Sequence, residues 1–264
     1  MSDSTQNQKS PLYVSFCTQK GGAGKSIFTI LAASYLYYEK GYSVAIIDCD
    51  YPQWSVKNMR EREKKQIEAN NYYKKKAYEF FTKTGNPAYK VVPSKPESAM
   101  EDAKKFLAET DKQYDLILFD LPGTVNNNSV VQIYFKMDYL FVPITISRIN
   151  MESTLFFVTK VNDILRQNPS GFRLKHAYTF WNRKMSRDRK ELFEVYGNAL
   201  SELEVSIMQT GIPNSVKYDR EQSVFGEEAV FLSTIFPPDK KLLTGSNWDL
   251  FMGEFLELTN LKTD

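Results

Sequence analysis

Histidine and cysteine are almost absent. Among 264 residues there is one histidine, His176, and there are two cysteines, Cys17 and Cys49. A histidine-rich metal site is thereby excluded, and two cysteines so far apart do not make a zinc site. Both sit in apolar runs and read as small buried thiols of a reducing compartment, with His176 as a structural residue. No run of apolar residues is long enough for a transmembrane helix. Residues 1–10 are polar and lack the apolar core of a signal peptide, so a disordered tail and a cytoplasmic protein are expected. No linker rich in proline, glycine or serine divides the chain, and residues 11–264 are read as one domain. A strong excess of one charge is also missing. The net charge of +2 argues against tail-driven nucleic-acid binding but leaves room for a local basic face.

What is present is apolar sequence in short bursts. Apolar residues make up 42% of the chain and aromatics 14%, enough for the core of an α/β domain. Leu12–Cys17, Ser43–Asp48, Tyr114–Phe119, Tyr139–Val142 and Lys175–Phe180 read as buried strands. Tyr89–Val92 reads as a short strand and Val205–Met208 as a last one, and Pro143 is expected to close the strand before it. Helical spacing covers Ser26–Lys40, with Gly41 as C-cap, then Trp54–Phe81, Pro96–Glu109, Glu152–Arg166, Arg187–Leu203 and Asn247–Thr259. Lys57–Lys76 alternates Arg and Lys with Glu and reads as a salt-bridged surface. Apolar strands alternating with helices predict an α/β fold: a doubly wound, mostly parallel sheet with helices on both faces. Ligands of such sheets bind at the carboxyl ends of the strands. A glycine loop, Asp48, Asp50 and Asp120 all fall there.

The glycine loop is Lys20-Gly21-Gly22-Ala23-Gly24-Lys25-Ser26, directly after the first strand and before a helix. Glycines let successive main-chain N–H groups face an anion, and the helix N-terminus adds positive potential. In that setting Lys25 reaches the β- and γ-phosphates of a nucleotide, the Ser26 hydroxyl binds Mg²⁺, and the N–H of Ile27 stays available to the anion. Leu116–Asp120 is an apolar strand ending in an acid, which can hold Mg²⁺ through water. Loop, then Asp48 and Asp50, then Asp120 is the order expected of a site for ATP with Mg²⁺. Acids at strand ends also serve as caps for the next helix, and that reading of Asp48 and Asp50 stays open.

The loop has Gln19 where the ordinary phosphate loop has glycine, and an extra lysine, Lys20, follows. With this deviant form the chain resembles the ParA/MinD family of P-loop ATPases, over about Leu12 to Leu258. The resemblance implies dimerisation with ATP, with Lys20 reaching the partner's phosphates. It implies that Asp50, in Asp48-Cys49-Asp50-Tyr51-Pro52-Gln53, positions the attacking water, while Asp48 supports the magnesium shell. Tyr51 is an extra residue before the proline of the family's segment, and Gly123 replaces a second proline after Asp120. Asn182, in Phe180-Trp181-Asn182-Arg183, and Pro213, in Gly211-Ile212-Pro213, match segments that contact the base in the family. Asn182 also fits an ordinary loop asparagine.

Three branches of the family are set aside. The C-terminal stretch Trp248–Leu258 is acidic, unlike the basic membrane helix of MinD types, and reads as a docking helix. No cysteine follows Cys49 to hold an iron–sulfur cluster. About ten residues precede the first strand, which leaves no room there for a DNA-reading domain. The short ParA type remains, and Tyr35–Tyr38 with Asp48–Gln53 resembles ParA-like conjugal transfer proteins of Bacteroides-type conjugative elements. A non-specific DNA surface is then expected, with Arg183, Lys184, Arg187, Arg189 and Lys190 as its densest cations and Lys217, Arg220, Lys240 and Lys241 as extensions. The same residues fit a solvated surface. A ParB-like or transfer-machinery partner would stimulate slow hydrolysis. Two other readings remain: an ATP-dependent dimerisation switch that hydrolyses little, and a metabolic P-loop synthetase.

Overall fold

The computed structural model describes residues 10–17, 24–123, 128–184, 190–213 and 233–262. Seven strands form one sheet: β1 Leu12–Phe16, β2 Val44–Asp48, β3 Lys90–Pro93, β4 Leu116–Asp120, β5 Tyr139–Ile144, β6 His176–Lys184 and β7 Ile212–Pro213. Their order is β3-β2-β4-β1-β5-β6-β7, and every pairing is parallel. The helices are α1 Lys25–Ser34, α2 Ser55–Ala69, α3 Asn71–Thr84, α4 Ala99–Ala108, α5 Asn128–Tyr134, α6 Arg148–Gln167, α7 Lys190–Glu202, α8 Lys240–Leu243 and α9 Trp248–Thr259. The expected doubly wound α/β architecture is present.

Side chains of successive strand residues alternate between two cores, because both faces of a parallel sheet are covered. Val14 and Phe16 of β1, Val44 and Ile46 of β2, and Leu116 and Leu118 of β4 point to the face covered by α1 and α9. Tyr13, Ala45, Ile47, Ile117 and Phe119 point to the other, where they join Ala103 of α4, Val158 of α6 and Leu200 of α7. On the first face α9 is docked, as expected, through Trp248, Phe251, Met252 and Phe255. Phe255 stacks on Phe16 with ring centres 6.2 Å apart, and Phe251 meets Phe180 edge-on at 4.8 Å. Cys17 and Cys49 are buried free thiols. His176 Nε2 lies 2.7 Å from Ser206 Oγ at the sheet edge. Among the described residues no helix is long and apolar enough to cross a membrane.

The structure corrects several element boundaries. β5 runs through Pro143 to Ile144. The Phe141 carbonyl accepts the N–H of Cys17, so Pro143, two residues on, turns its nitrogen to the same side, past the end of β1. A proline without an N–H is tolerated where the neighbouring strand stops. Val205–Met208 is not a strand; it makes only a bridge between Ile207 and Thr179, and Ile212–Pro213 forms the sheet edge beyond. The Trp54–Phe81 pattern is two helices. Asn70 is extended, and its side chain accepts the N–H groups of Tyr72 and Tyr73, capping α3. α1 ends in a π-helical turn over Tyr35–Glu39, before Gly41 at a φ of 77°.

Candidate functional site

Residues 18–23 lie outside the described residues, and with them Lys20, Gly21, Gly22 and Ala23. The second half of the loop is described. Gly24 has φ 83°, a left-handed conformation suited to glycine, and its carbonyl accepts the N–H of Phe28 at 2.9 Å. A Cβ there would come within 3.3 Å of the Phe28 ring. Lys25 and Ser26 open α1, where main-chain N–H groups lack helical acceptors and the dipole is positive. Ile27 packs its side chain on the core.

The Ser26 hydroxyl donates to Asp120 Oδ2 at 2.7 Å. Asp120 ends β4 and is fully buried. Burial pushes its carboxyl up to about 7; the Ser26 hydrogen bond pulls it down, Asp48 pushes it up, and the Lys25 charge lowers it. Its Oδ1 has no hydrogen-bond partner among the described residues. A buried carboxylate oxygen left this way is costly, and a cation would relieve it. A serine hydroxyl and a carboxylate are hard oxygen donors of the kind Mg²⁺ takes, so the residues fit the ion.

Asp48 lies in register beside Asp120. Burial raises its carboxyl, and main-chain N–H donors oppose that rise. Oδ2 accepts the N–H of Lys57 at 2.8 Å, and Oδ1 that of Asp50 at 3.3 Å. Asp50 Oδ2 in turn accepts the Ser55 hydroxyl at 2.6 Å, and its carbonyl accepts the N–H of Trp54 at 2.7 Å. Asp48 therefore caps the first turn of α2, the role that the sequence left open for it, while Asp50 holds the Ser55 side chain. Of these three acids, Asp120 has a buried oxygen without a hydrogen-bond partner among the described residues.

Trp54 makes the turn into α2 with φ 42° and ψ 60°, a left-handed conformation uncommon for a non-glycine residue. Its indole Nε1 donates to the Ser94 carbonyl at 3.0 Å. Tyr51, the extra residue, is 45% exposed and meets the Trp54 ring at 5.3 Å. Lys95 Nζ lies 5.0 Å from the Tyr51 ring centre, and Lys57 Nζ 4.8 Å from that of Trp54. Sequence reading marked Tyr51 only as a departure and missed Trp54. The available signal was a pair of aromatics flanking Pro52-Gln53 just after two acids.

On the other side, β6 continues past Phe180 to Lys184. Asn182, buried, pairs with Ile212, and Lys184 with Pro213. Asn182 and Pro213 thus come together on adjacent strands. Arg183 and Lys184 fall on β6 and Lys190 opens α7, while Arg187 and Arg189 lie outside the described residues, as do Lys217 and Arg220.

A strand, a glycine at the start of a helix, and a serine hydroxyl bonded to an acid at the end of the neighbouring strand are the elements from which a P-loop is built. The family profile described as ATPase MipZ matches residues 12–167. The chain belongs to this family and so to the ParA/MinD P-loop ATPases. No curated protein matches its sequence. Among solved structures, a protein of Borrelia burgdorferi B31 described as a plasmid partition protein, bound to AMPPNP, is 18% identical with a TM-score of 0.59, covering 94% of this chain and 99% of that one. A ParA family ATPase of Chlorobium tepidum TLS is 16% identical with a TM-score of 0.50, covering 80% and 87%. A cobyrinic acid a,c-diamide synthase of Mycobacterium smegmatis, with bound ADP and magnesium, is 15% identical with a TM-score of 0.54, covering 78% and 88%. At such identities the likeness is one of fold, and the fold alone is shared by partition proteins and a synthase.

Proposed function

We propose that this chain binds ATP with Mg²⁺ at the carboxyl ends of β1, β2 and β4, dimerises on it, and hydrolyses it slowly to ADP and phosphate. The observation that carries the reading is the Ser26–Asp120 hydrogen bond together with the unpartnered Asp120 Oδ1. Ser26 and Asp120 would hold the metal ion, which when bound neutralises charge on the phosphate oxygens. The N–H groups of the first turn of α1 and the Lys25 ammonium bind and orient the phosphates. Asp48 positions Asp50 and the first turn of α2, Asp50 orients the water, and Lys20 completes the site of a second subunit. Asn182 and Pro213 flank the base. The biological setting we infer is partition or conjugative transfer of a DNA element. Non-specific DNA would lie on the Arg183–Lys190 face, and a ParB-like or transfer-machinery partner would stimulate turnover.

One observation favours a second reading, a dimerisation switch with little hydrolysis. The Asp50 carboxylate is engaged by Ser55, and the ring of the extra residue Tyr51 packs edge-on against Trp54. A metabolic synthetase is disfavoured by Lys20, which makes sense mainly across a dimer. The deciding experiment is light scattering with ADP and with ATP, with and without DNA, beside an ATPase assay. The wild type should dimerise with ATP, turn over slowly and retain DNA at low salt, and Lys25→Ala should abolish ATP binding. Unchanged ATP affinity in that variant would reject the site. A dimer without turnover would select the switch.

A further inference from the structure

One long stretch of the described chain carries a surplus of positive charge. Between Ser55 and Thr84 there are nine lysines and arginines against four glutamates, a surplus of five, whereas the whole chain sums to +2. This stretch is the α2–α3 hairpin, which has a small core of its own. Ile67 of α2 packs there with Ile235 and Phe236, with Tyr73, Ala77, Phe80 and Phe81 of α3 against them. Beside that core lies an open groove of about 420 Å³, with Ile67, Ala77, Phe81 and Ile235 among its apolar walls.

Two cations, Arg60 and Lys64, also line the groove, and Glu68 offsets one of them. Arg60 is held from one side. Its Nη1 donates to the Tyr89 carbonyl at 3.0 Å, and its guanidinium lies 4.8 Å from the Tyr89 ring centre. Its Nε and Nη2 are shielded from water and have no hydrogen-bond partner among the described residues. That edge of a guanidinium presents two parallel N–H groups, the geometry a carboxylate accepts. Leaving both donors unmade is costly, and a carboxylate gains them when the guanidinium turns outward into the groove.

We propose that the groove between α2 and α3 docks an acidic amphipathic segment of a partner protein, its apolar side chains on Ile67, Phe81 and Ile235 and its carboxylate on Arg60 and Lys64. Helix-in-groove recognition of this kind needs apolar anchors and complementary charge, and both are here. A nucleic-acid backbone would meet the lysines but leave the apolar walls uncovered. The occupant would press on α2, whose first turn is tied to Asp48 and Asp50. That consequence rests on the nucleotide reading above, but the docking itself does not.

The test uses the full chain and fluorescence anisotropy. The probe is a synthetic helical peptide with leucines along one face and glutamates at its borders. Its counterpart carries lysine in place of each glutamate, and a random DNA duplex is the third probe. The acidic peptide should bind. Lys64→Glu, at an exposed position, and Ala77→Glu, which puts a like charge in the groove, should each weaken it about tenfold or more. Melting curves confirm that both variants are folded. No binding of the acidic peptide, equal binding of the lysine peptide, or unchanged affinity in both variants overturns the proposal. DNA binding that displaces the peptide and is lost in Lys64→Glu makes the hairpin a nucleic-acid surface instead, and also overturns it. Because the readout is binding without turnover, its failure is separate from failure of the ATPase assay.

Discussion

Ser26 and Asp120, 94 residues apart in sequence, share a hydrogen bond of 2.7 Å. It ties the start of α1 to the end of β4 and links the phosphate loop to the acid that would face the metal. Ser26→Ala removes the hydroxyl that donates to Oδ2 and that the ion would take. Magnesium-dependent ATP affinity should fall by at least about tenfold. Calorimetric titration with Mg²⁺ and with EDTA checks this: the wild type should lose affinity on chelation and the variant should not. Equal affinities in Mg²⁺ would reject the assignment.

The buried Asp120 also predicts how stability depends on pH. Its carboxyl is raised to about 7 by burial, above the value near 4 of an unfolded chain. The folded protein therefore holds a proton that the unfolded chain has already released. Stability is greatest below about pH 4 in this respect and is lost as pH rises to about 7, by on the order of 4 kcal/mol at most. Asp48, also raised by burial, acts in the same direction. Nucleotide-free protein should melt at a lower temperature at about pH 7.5 than at about pH 5.5, and Asp120→Asn should flatten the difference. An unchanged pH dependence in that variant would assign it to other groups.

The strands were legible because burial on both faces leaves continuous apolar runs, as in Val44–Asp48 and Leu116–Asp120. Val205–Met208 looks the same in sequence but forms only a bridge. Pro143 misled in the opposite direction, since whether a proline ends a strand depends on where the neighbouring strand stops. The break at Asn70 was hidden because apolar spacing continues across it. In the site, residue types announced the loop and Asp120. The use of Asp48 was not legible, because its partner is the main-chain N–H of Lys57, which almost any residue could supply. The Arg60 edge was equally hidden, since it depends on Tyr89 holding the other side of the guanidinium.

Asp138 anchors the far end of the sheet. One carboxylate oxygen accepts the N–H of Tyr13 at 2.8 Å and Arg173 Nε at 2.8 Å, and the other lies 3.4 Å from Lys175 Nζ. Arg173 also donates to the Pro11 carbonyl and lies 4.0 Å from the Tyr13 ring centre. Asp138→Ala leaves a buried N–H and a partly buried guanidinium without their acceptor. It should cost about 3 kcal/mol in urea unfolding. The position is remote from the phosphate loop, so ATP affinity should be unchanged in the folded fraction. A loss under about 1 kcal/mol would mean that water replaces the carboxylate.

The carboxylate of Asp50 has two claims on it: the Ser55 hydroxyl, which it now accepts, and a water to be activated. Asp50→Ala and Ser55→Ala separate them. Losing that hydrogen bond alone, in Ser55→Ala, should lower stability by about 1 kcal/mol and leave turnover at or above wild type, because the carboxylate is released. Asp50→Ala loses the hydrogen bond and the carboxylate together; it should keep ATP binding and the ATP dimer but abolish turnover. Single-turnover assays with sizing in ATP decide the matter. If Asp50→Ala hydrolyses ATP at the wild-type rate, the Asp50 carboxylate holds Ser55 and nothing more, and another group orients the water.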